Sequence, residues 1–269
     1  MADTTKHDTT VTQRSTPRDV SLRVRRQLGQ RPKVSWDVFT VPRTPRMTVL
    51  GALLAAQRNP SAAAGGSVAP PAFEAECCRG VCGACLMVIN GRVRLACRTF
   101  VDEVSPKGKV ITLQPLEKFP LVRDLIVDRS ATEEAQRELH TWVDLGQTSS
   151  ERAPITQSKR AQGRLFALAQ CIGCGACLEV CPEYGHHSDY LGPAALSQAQ
   201  RLNETPVGRF TRADRLSMAM APGGIAECGK ALACVEACPV GVPLVDALQS
   251  LARETTREML AGWLLGRGS

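Results

Sequence analysis

The sequence predicts an α+β protein, with a small sheet domain of β-grasp type followed by a mainly helical domain. Three observations predict it. Alternating apolar and polar runs, a tight-turn dipeptide and one short helical stretch are confined to residues 20–115. From residue 120 onward the apolar spacing becomes helical, and the 12 cysteines fall into one block in each texture. A length of 269 residues favours two small domains over one, and 43% apolar residues suffice for ordinary hydrophobic cores.

Taken in order, residues 1–19 are polar and aperiodic and read as a flexible tail. Residues 20–26 and 34–41 alternate like a strand pair, turned by Gly29, Arg31 and Pro32. Thr48 then stands as an N-cap before Val49, Leu50, Leu53 and Leu54, which recur at helical spacing up to Arg58. Residues 59–71 form an Ala, Gly, Pro and Ser loop. Residues 86–89 and 93–96 flank Asn90-Gly91 as a hairpin, and residues 110–113 supply another strand. These elements place the sheet domain at residues 20–120 and the helical domain at residues 121–269. Helices are expected over residues 121–145, 162–169, 193–202, 212–220 and 243–265, with a loop at 146–158.

The cysteines define the chemistry. The first 19 residues contain no apolar segment of the kind that precedes export, which argues against a secreted disulfide scaffold. The longest apolar stretch, residues 48–56, is well short of the roughly 18 residues needed to span a bilayer. In a reducing compartment, clustered cysteines act as metal ligands or redox groups. The formal net charge of +7 permits contact with an anionic surface or an acidic partner, and equally serves solubility.

The first block reads Cys77-Cys78-Arg79-Gly80-Val81-Cys82-Gly83-Ala84-Cys85, with Cys97 beyond the hairpin. Counted from Cys77, the C-x4-C-x2-C spacing is that of a plant-type ferredoxin loop, which wraps a [2Fe–2S] cluster and takes its fourth thiolate from elsewhere. Gly80 and Gly83 allow the tight bending that brings backbone N–H groups to sulfur. Using Cys78 in place of Cys77 would shorten the first spacing. The alternative, a tetrahedral zinc site on the same four cysteines, ordinarily uses two short pairs.

The second block opens with Cys171, Cys174, Cys177, Cys181 and Pro182, a complete C-x2-C-x2-C-x3-C-P run. In two-cluster ferredoxins the fourth cysteine of such a run ligates the other cluster, so a second run is required. It stands at Cys228, Cys234, Cys238 and Pro239, with Ala231 in the middle ligand position. Crossing the fourth ligands gives Cys171, Cys174, Cys177 and Cys238 to a [4Fe–4S] cluster. Cys181, Cys228 and Cys234 then offer three thiolates, the set for [3Fe–4S]; the alternative is a four-iron cluster with a non-cysteine ligand at the open corner. Four, four and three ligands use 11 of the 12 cysteines and leave Cys78.

On these motifs, together with Gly192-Pro193-Ala194-Ala195-Leu196 and Gly224-Ile225-Ala226-Glu227, residues 20–251 resemble the iron–sulfur subunit of succinate dehydrogenase and fumarate reductase. The run at 224–243 is more similar to the bacterial type paired with a single dihaem cytochrome b anchor. The resemblance implies a ferredoxin-like [2Fe–2S] domain, then a helical domain carrying [4Fe–4S] and [3Fe–4S]. It also implies a subunit that passes electrons from the FAD of a partner flavoprotein, where succinate becomes fumarate, to quinone at a membrane anchor holding haem b. No succinate-binding or catalytic residue is then expected in this chain, nor a nucleic-acid partner. Its implied place is peripheral, on the cytoplasmic face of the bacterial inner membrane, in the tricarboxylic acid cycle and respiratory chain.

Two positions depart from the family pattern. Where ubiquinone-reducing members carry tryptophans after the Cys-Pro step, this chain has Pro182-Glu183-Tyr184-Gly185-His186-His187, and a histidine common after the first cysteine of the last run is Gly229. Both favour menaquinone or a pocket formed mainly by the anchor. Pro182, His186 and His187 are quinone-edge candidates, although histidines in such a loop also suit plain surface positions. His140, beside Trp142, reads as packing. Arg23, Arg25, Arg26, Arg31 and Lys33 suit either an acidic partner or a solvated face. Trp263, with Leu260, Leu264 and Leu265, suits either a membrane interface or helix packing. Other functions compatible with the residues are fumarate reduction with menaquinol as donor, service to a different flavoenzyme, and a zinc-stabilised scaffold.

Overall fold

The structure is a computed structural model that describes residues 19–29, 33–60, 68–143 and 157–264. The expected N-terminal tail, the 146–156 part of the expected loop, Arg31, Pro32 and Leu265 lie outside those residues.

Strand β1 (Asp19–Arg26) pairs antiparallel with β2 (Ser35–Pro42). Its alternation buries Val20, Leu22 and Val24 on one face. Helix α1 (Val49–Arg58) begins where Thr48 Oγ1 accepts the Gly51 N–H at 3.0 Å, and it turns Val49, Leu50, Leu53 and Ala56 inward. Strands β3 (Leu86–Ile89) and β4 (Arg92–Leu95) meet at Asn90-Gly91, both with positive φ (49° and 76°), which a two-residue hairpin turn requires. A one-turn helix, α2 (Val101–Val104), precedes β5 (Ile111–Gln114). β5 runs parallel to β1 and antiparallel to β3, giving a five-stranded mixed sheet of order β2-β1-β5-β3-β4.

The helical pattern expected from residue 121 starts later. Leu121–Arg123 (β6) and Ile126–Val127 (β7) form a hairpin around Asp124, whose φ is +50°. The buried Asp124 carboxylate accepts the N–H groups of Gln27 (3.2 Å) and Ala72 (3.0 Å) and pairs with Arg26 at 3.2 Å. These ties hold the segment against β1, and Leu125 and Val127 enter the sheet domain's core. Tertiary pairing here overrides a short apolar period that reads equally well as helix.

The helices that follow are α3 (Ser130–Glu138), α4 (Lys159–Ala169), α5 (Ala176–Glu179), α6 (Gly192–Glu204), α7 (Arg212–Met220), α8 (Ala233–Ala237) and α9 (Leu244–Leu264). α6 packs along α9 over Ala195, Leu196, Ala199, Leu248 and Leu251, joined by Leu139, Leu216 and Ala219. Arg215 is fully buried in this layer. It donates to Asn203 Oδ1 (2.7 Å), Thr211 Oγ1 (2.7 Å), the His140 carbonyl (3.2 Å) and the Gly208 carbonyl, so its charge is dispersed over four oxygens of three segments.

The two halves share a seam. Cys174, Ala176, Leu178 and Ala194 pack into the core of the sheet domain. Glu179 accepts the backbone N–H groups of Glu117 (2.8 Å) and Lys118 (3.1 Å), and Lys118 Nζ donates to the Cys181 carbonyl.

Candidate metal centres

All 12 cysteines are free thiols. The loop before β3 turns at Gly80 and Gly83, both with φ of +79°, and wraps the first group. Arg79 N–H and Val81 N–H each donate to Cys77 Sγ at 3.3 Å, and Cys97 N–H donates to Cys85 Sγ at 3.5 Å. The two N–H bonds at Cys77, with a further bond from Cys82, lower its thiol to about 6. Cys97 behaves oppositely: burial and the Cys85 sulfur beside it push its thiol up to about 12. Cys77 also acts on Cys97, so Cys77, Cys82, Cys85 and Cys97 form one electrostatic group. Cys78, exposed and with φ of +53°, turns away toward the Glu76 carbonyl.

In the second half, the run before and within α5 meets the end of α8. The Cys171 thiol is raised mainly by burial and then by Cys238. Burial raises Cys174 to about 11, with Cys171 and Cys238 adding to it. Cys177 is raised well above the ordinary thiol value, by burial and then by Cys174, Cys171 and Cys238. Val242 N–H donates to Cys238 Sγ at 3.3 Å. Around the start of α8, burial raises Cys234, and the Cys181 and Cys228 sulfurs push the same way. Cys234 also acts on Cys177, so the second and third groups are neighbours.

The first and second groups touch as well. A Cβ added at Gly83 would lie 2.7 Å from Cys174 Cβ and 2.8 Å from its Cα. Only a glycine lets the first loop lie directly on the second.

A cavity of about 410 Å³ opens at the third group. Cys181, Cys228 and Cys234 line it together with Pro182, Tyr190 and Ala231. Ala231 sits between Lys230 (φ 57°) and Leu232 (φ 62°), so the loop presents a methyl group to the cavity where the template puts a thiol. Glu183 also lines it, and its Oε1 would be 2.3 Å from a Cβ at Gly229, so a side chain there would have to displace the Glu183 carboxylate.

The donors suit iron–sulfur clusters. Eleven soft thiols stand in three groups of four, four and three, with N–H groups aimed at sulfur and open space at the third. Among the described residues, no three His, Cys, Asp or Glu side chains converge closely enough to hold a single metal ion.

Pro182 stands at the cavity, but His186 and His187 line a separate cleft beside Pro115, Leu116 and Phe119. His186 Nε2 lies 3.1 Å from the Glu117 carbonyl, across the seam. His140 stacks on Trp142 with ring centroids 4.7 Å apart. Arg26 is buried against Asp37 and Asp124, and Arg23 lies over the Trp36 ring at 4.4 Å, so both serve the sheet. Sequence reasoning missed Tyr190, Glu179 and the Gly83 contact, since no motif spacing marks any of them.

Comparison with known proteins matches this layout. A family model described as a 2Fe-2S iron-sulfur cluster binding domain covers residues 21–134, and one described as a 4Fe-4S dicluster domain covers 167–242. The chain is 37% identical to the succinate dehydrogenase iron-sulfur subunit of Bacillus subtilis (strain 168), over 81% of this chain and 85% of that protein. The chain belongs to the succinate dehydrogenase and fumarate reductase iron–sulfur subunits. It is also 27% identical to the fumarate reductase iron-sulfur subunit of Haemophilus influenzae, over 92% of this chain and 96% of that protein. A chain of the Mycobacterium smegmatis Sdh1 complex in the apo form superimposes with a TM-score of 0.76 at 25% identity, covering 89% of this chain and 96% of that one. This member of the family is therefore an oxidoreductase subunit that carries a 2Fe–2S-binding domain followed by a 4Fe–4S-binding domain.

Proposed function

We propose that the chain transfers electrons within a succinate dehydrogenase, between the FAD of a partner flavoprotein and quinone at a membrane-anchor cytochrome b that carries haem b. The observation that carries this reading is the succession of three thiol groups, the first touching the second at Gly83 and Cys174 and the second neighbouring the third through Cys177 and Cys234. In this reading Cys77, Cys82, Cys85 and Cys97 hold [2Fe–2S], while Cys171, Cys174, Cys177 and Cys238 hold [4Fe–4S]. Cys181, Cys228 and Cys234 hold [3Fe–4S], with Ala231 withholding the fourth ligand. When bound, the clusters supply one-electron carriers between two-electron chemistry at flavin and quinone. The protein fixes their order, points N–H groups at their sulfurs and excludes water.

The place proposed for the complex is the cytoplasmic face of the bacterial inner membrane, in the tricarboxylic acid cycle and respiratory chain. Among the described residues no helix is long and apolar enough to cross a membrane. The end of α9 exposes Met259, Leu260, Trp263 and Leu264, which supports docking of that end at the anchor. The same residues would serve fumarate reduction with menaquinol as donor, a direction favoured by relatives that carry the fumarate reductase name.

The test is optical. With the flavoprotein present, adding succinate to the oxidised complex is expected to bleach its cluster absorbance. Bleaching by glycolate but not by succinate would overturn the substrate assignment.

A further inference from the structure

Tyr190 sits just before α6 and is 2% exposed. Its ring packs in the α6/α9 core, and its hydroxyl is fully buried without a hydrogen-bond partner among the described residues. A phenylalanine would fill the same space without stranding a polar group, so the hydroxyl needs a ligand to explain it. The ring lines the cavity of the third thiol group. After burial, the sulfurs of Cys228, Cys181 and Cys234 all act on the phenol, Cys228 foremost, and the hydrogen bond to sulfur is not closed in the chain alone. A phenol carries an O–H donor at neutral pH, and the thiol group supplies sulfur as acceptor.

We propose that the Tyr190 hydroxyl donates a hydrogen bond to the Cys228 sulfur of the cluster held by Cys181, Cys228 and Cys234, and thereby raises that cluster's reduction potential. The inference rests on the three-cluster reading above. Reduction adds negative charge to the sulfurs, so a donor fixed beside them stabilises the reduced form more than the oxidised form. The tyrosine does not ligate iron; it tunes the site through Cys228. The thiols that share its cavity are Cys181, Cys228 and Cys234, so the effect is expected at the third cluster.

The experiment is a redox titration of the whole complex, followed by the EPR signals of its clusters, for wild type and Tyr190→Phe. At a fixed poise the phenylalanine variant is expected to shift the oxidised-to-reduced ratio of the three-iron cluster about tenfold toward oxidised, a lowering of ~59 mV for a one-electron couple. The other two clusters should titrate as in wild type. A second variant, with a ring-fluorinated tyrosine placed at position 190, supplies a stronger donor of nearly the same shape and is expected to raise the same potential. It decides the matter alone if the phenylalanine variant does not assemble. An unchanged three-iron potential in the variants overturns the hydrogen bond, as would equal shifts in all three clusters. Absence of any oxidised three-iron signal from wild type overturns the cluster assignment on which the inference stands.

Discussion

In the loop before β3, Cys77, Cys82 and Cys85 lie within a few residues of one another, and the loop's own N–H groups bond to Cys77. The groups around α5 and α8 are assembled differently. Each draws sulfurs from two runs far apart in sequence, and burial more than hydrogen bonding sets the thiols of Cys171, Cys174, Cys177 and Cys234. A local site is held by its loop, whereas a crossed site is only as firm as the helices that bring its runs together. The two halves should therefore fail separately when each is perturbed at its own support.

The sharpest way to separate them is Leu251→Ala, at a fully buried contact between α9 and α6. The cavity is expected to cost about 2–5 kcal/mol, and calorimetry should show the helical half melting earlier. The [4Fe–4S] and [3Fe–4S] signals should weaken while the [2Fe–2S] signal persists; equal loss of all three would erase the distinction.

Gly83→Ala tests the place where the two kinds of site meet. Its φ of +79° is unfavourable for alanine, and the added methyl would press on Cys174 Cα, which is backbone and cannot rotate away. A loss of about 1–3 kcal/mol is expected in chemical denaturation, with slower electron passage from the first cluster to the second.

The smallest expected effect is at the seam. Burial raises the Glu179 carboxyl although it accepts two N–H groups from the sheet domain. Glu179→Gln keeps one good acceptor without the charge, so the loss near neutral pH should stay under about 1 kcal/mol. Because the folded carboxyl holds its proton more tightly than the unfolded one, Glu179 makes a separate, proton-linked contribution that is complete below the unfolded value of 4.5 and lost as pH rises through the higher folded value. Wild type should accordingly gain on the variant as pH falls toward 4.5, as paired melts would show.

The first half was readable in sequence because its signals are local. Alternation in β1, the Thr48 cap, the Asn90-Gly91 turn and the cysteine spacing each act over a few residues. The hairpin at 121–127 was not, because its strands exist through Asp124, Arg26 and Gln27, partners that only the fold brings together. Arg215 escaped for the same reason: its acceptors are scattered over three segments, and an arginine in a helical pattern reads as surface. At the third thiol group the sequence indicated which sulfurs could meet and where one was missing. It could not indicate that Glu183 occupies the space beside Gly229 or that Tyr190 faces Cys228, since neither depends on spacing. His186 shows the converse, a residue adjacent to a motif whose ring turns to the seam and not to the cavity.

The central claim is that eleven thiols divide four, four and three, with Ala231 as the open corner. EPR of the anaerobically purified complex, comparing wild type with Ala231→Cys, tests it directly. Wild type is expected to show a three-iron signal when oxidised, and two further signals on stepwise reduction. The cysteine variant should lose the oxidised signal and gain iron as the third site fills toward four irons. An oxidised signal left untouched by the new thiol would contradict the division.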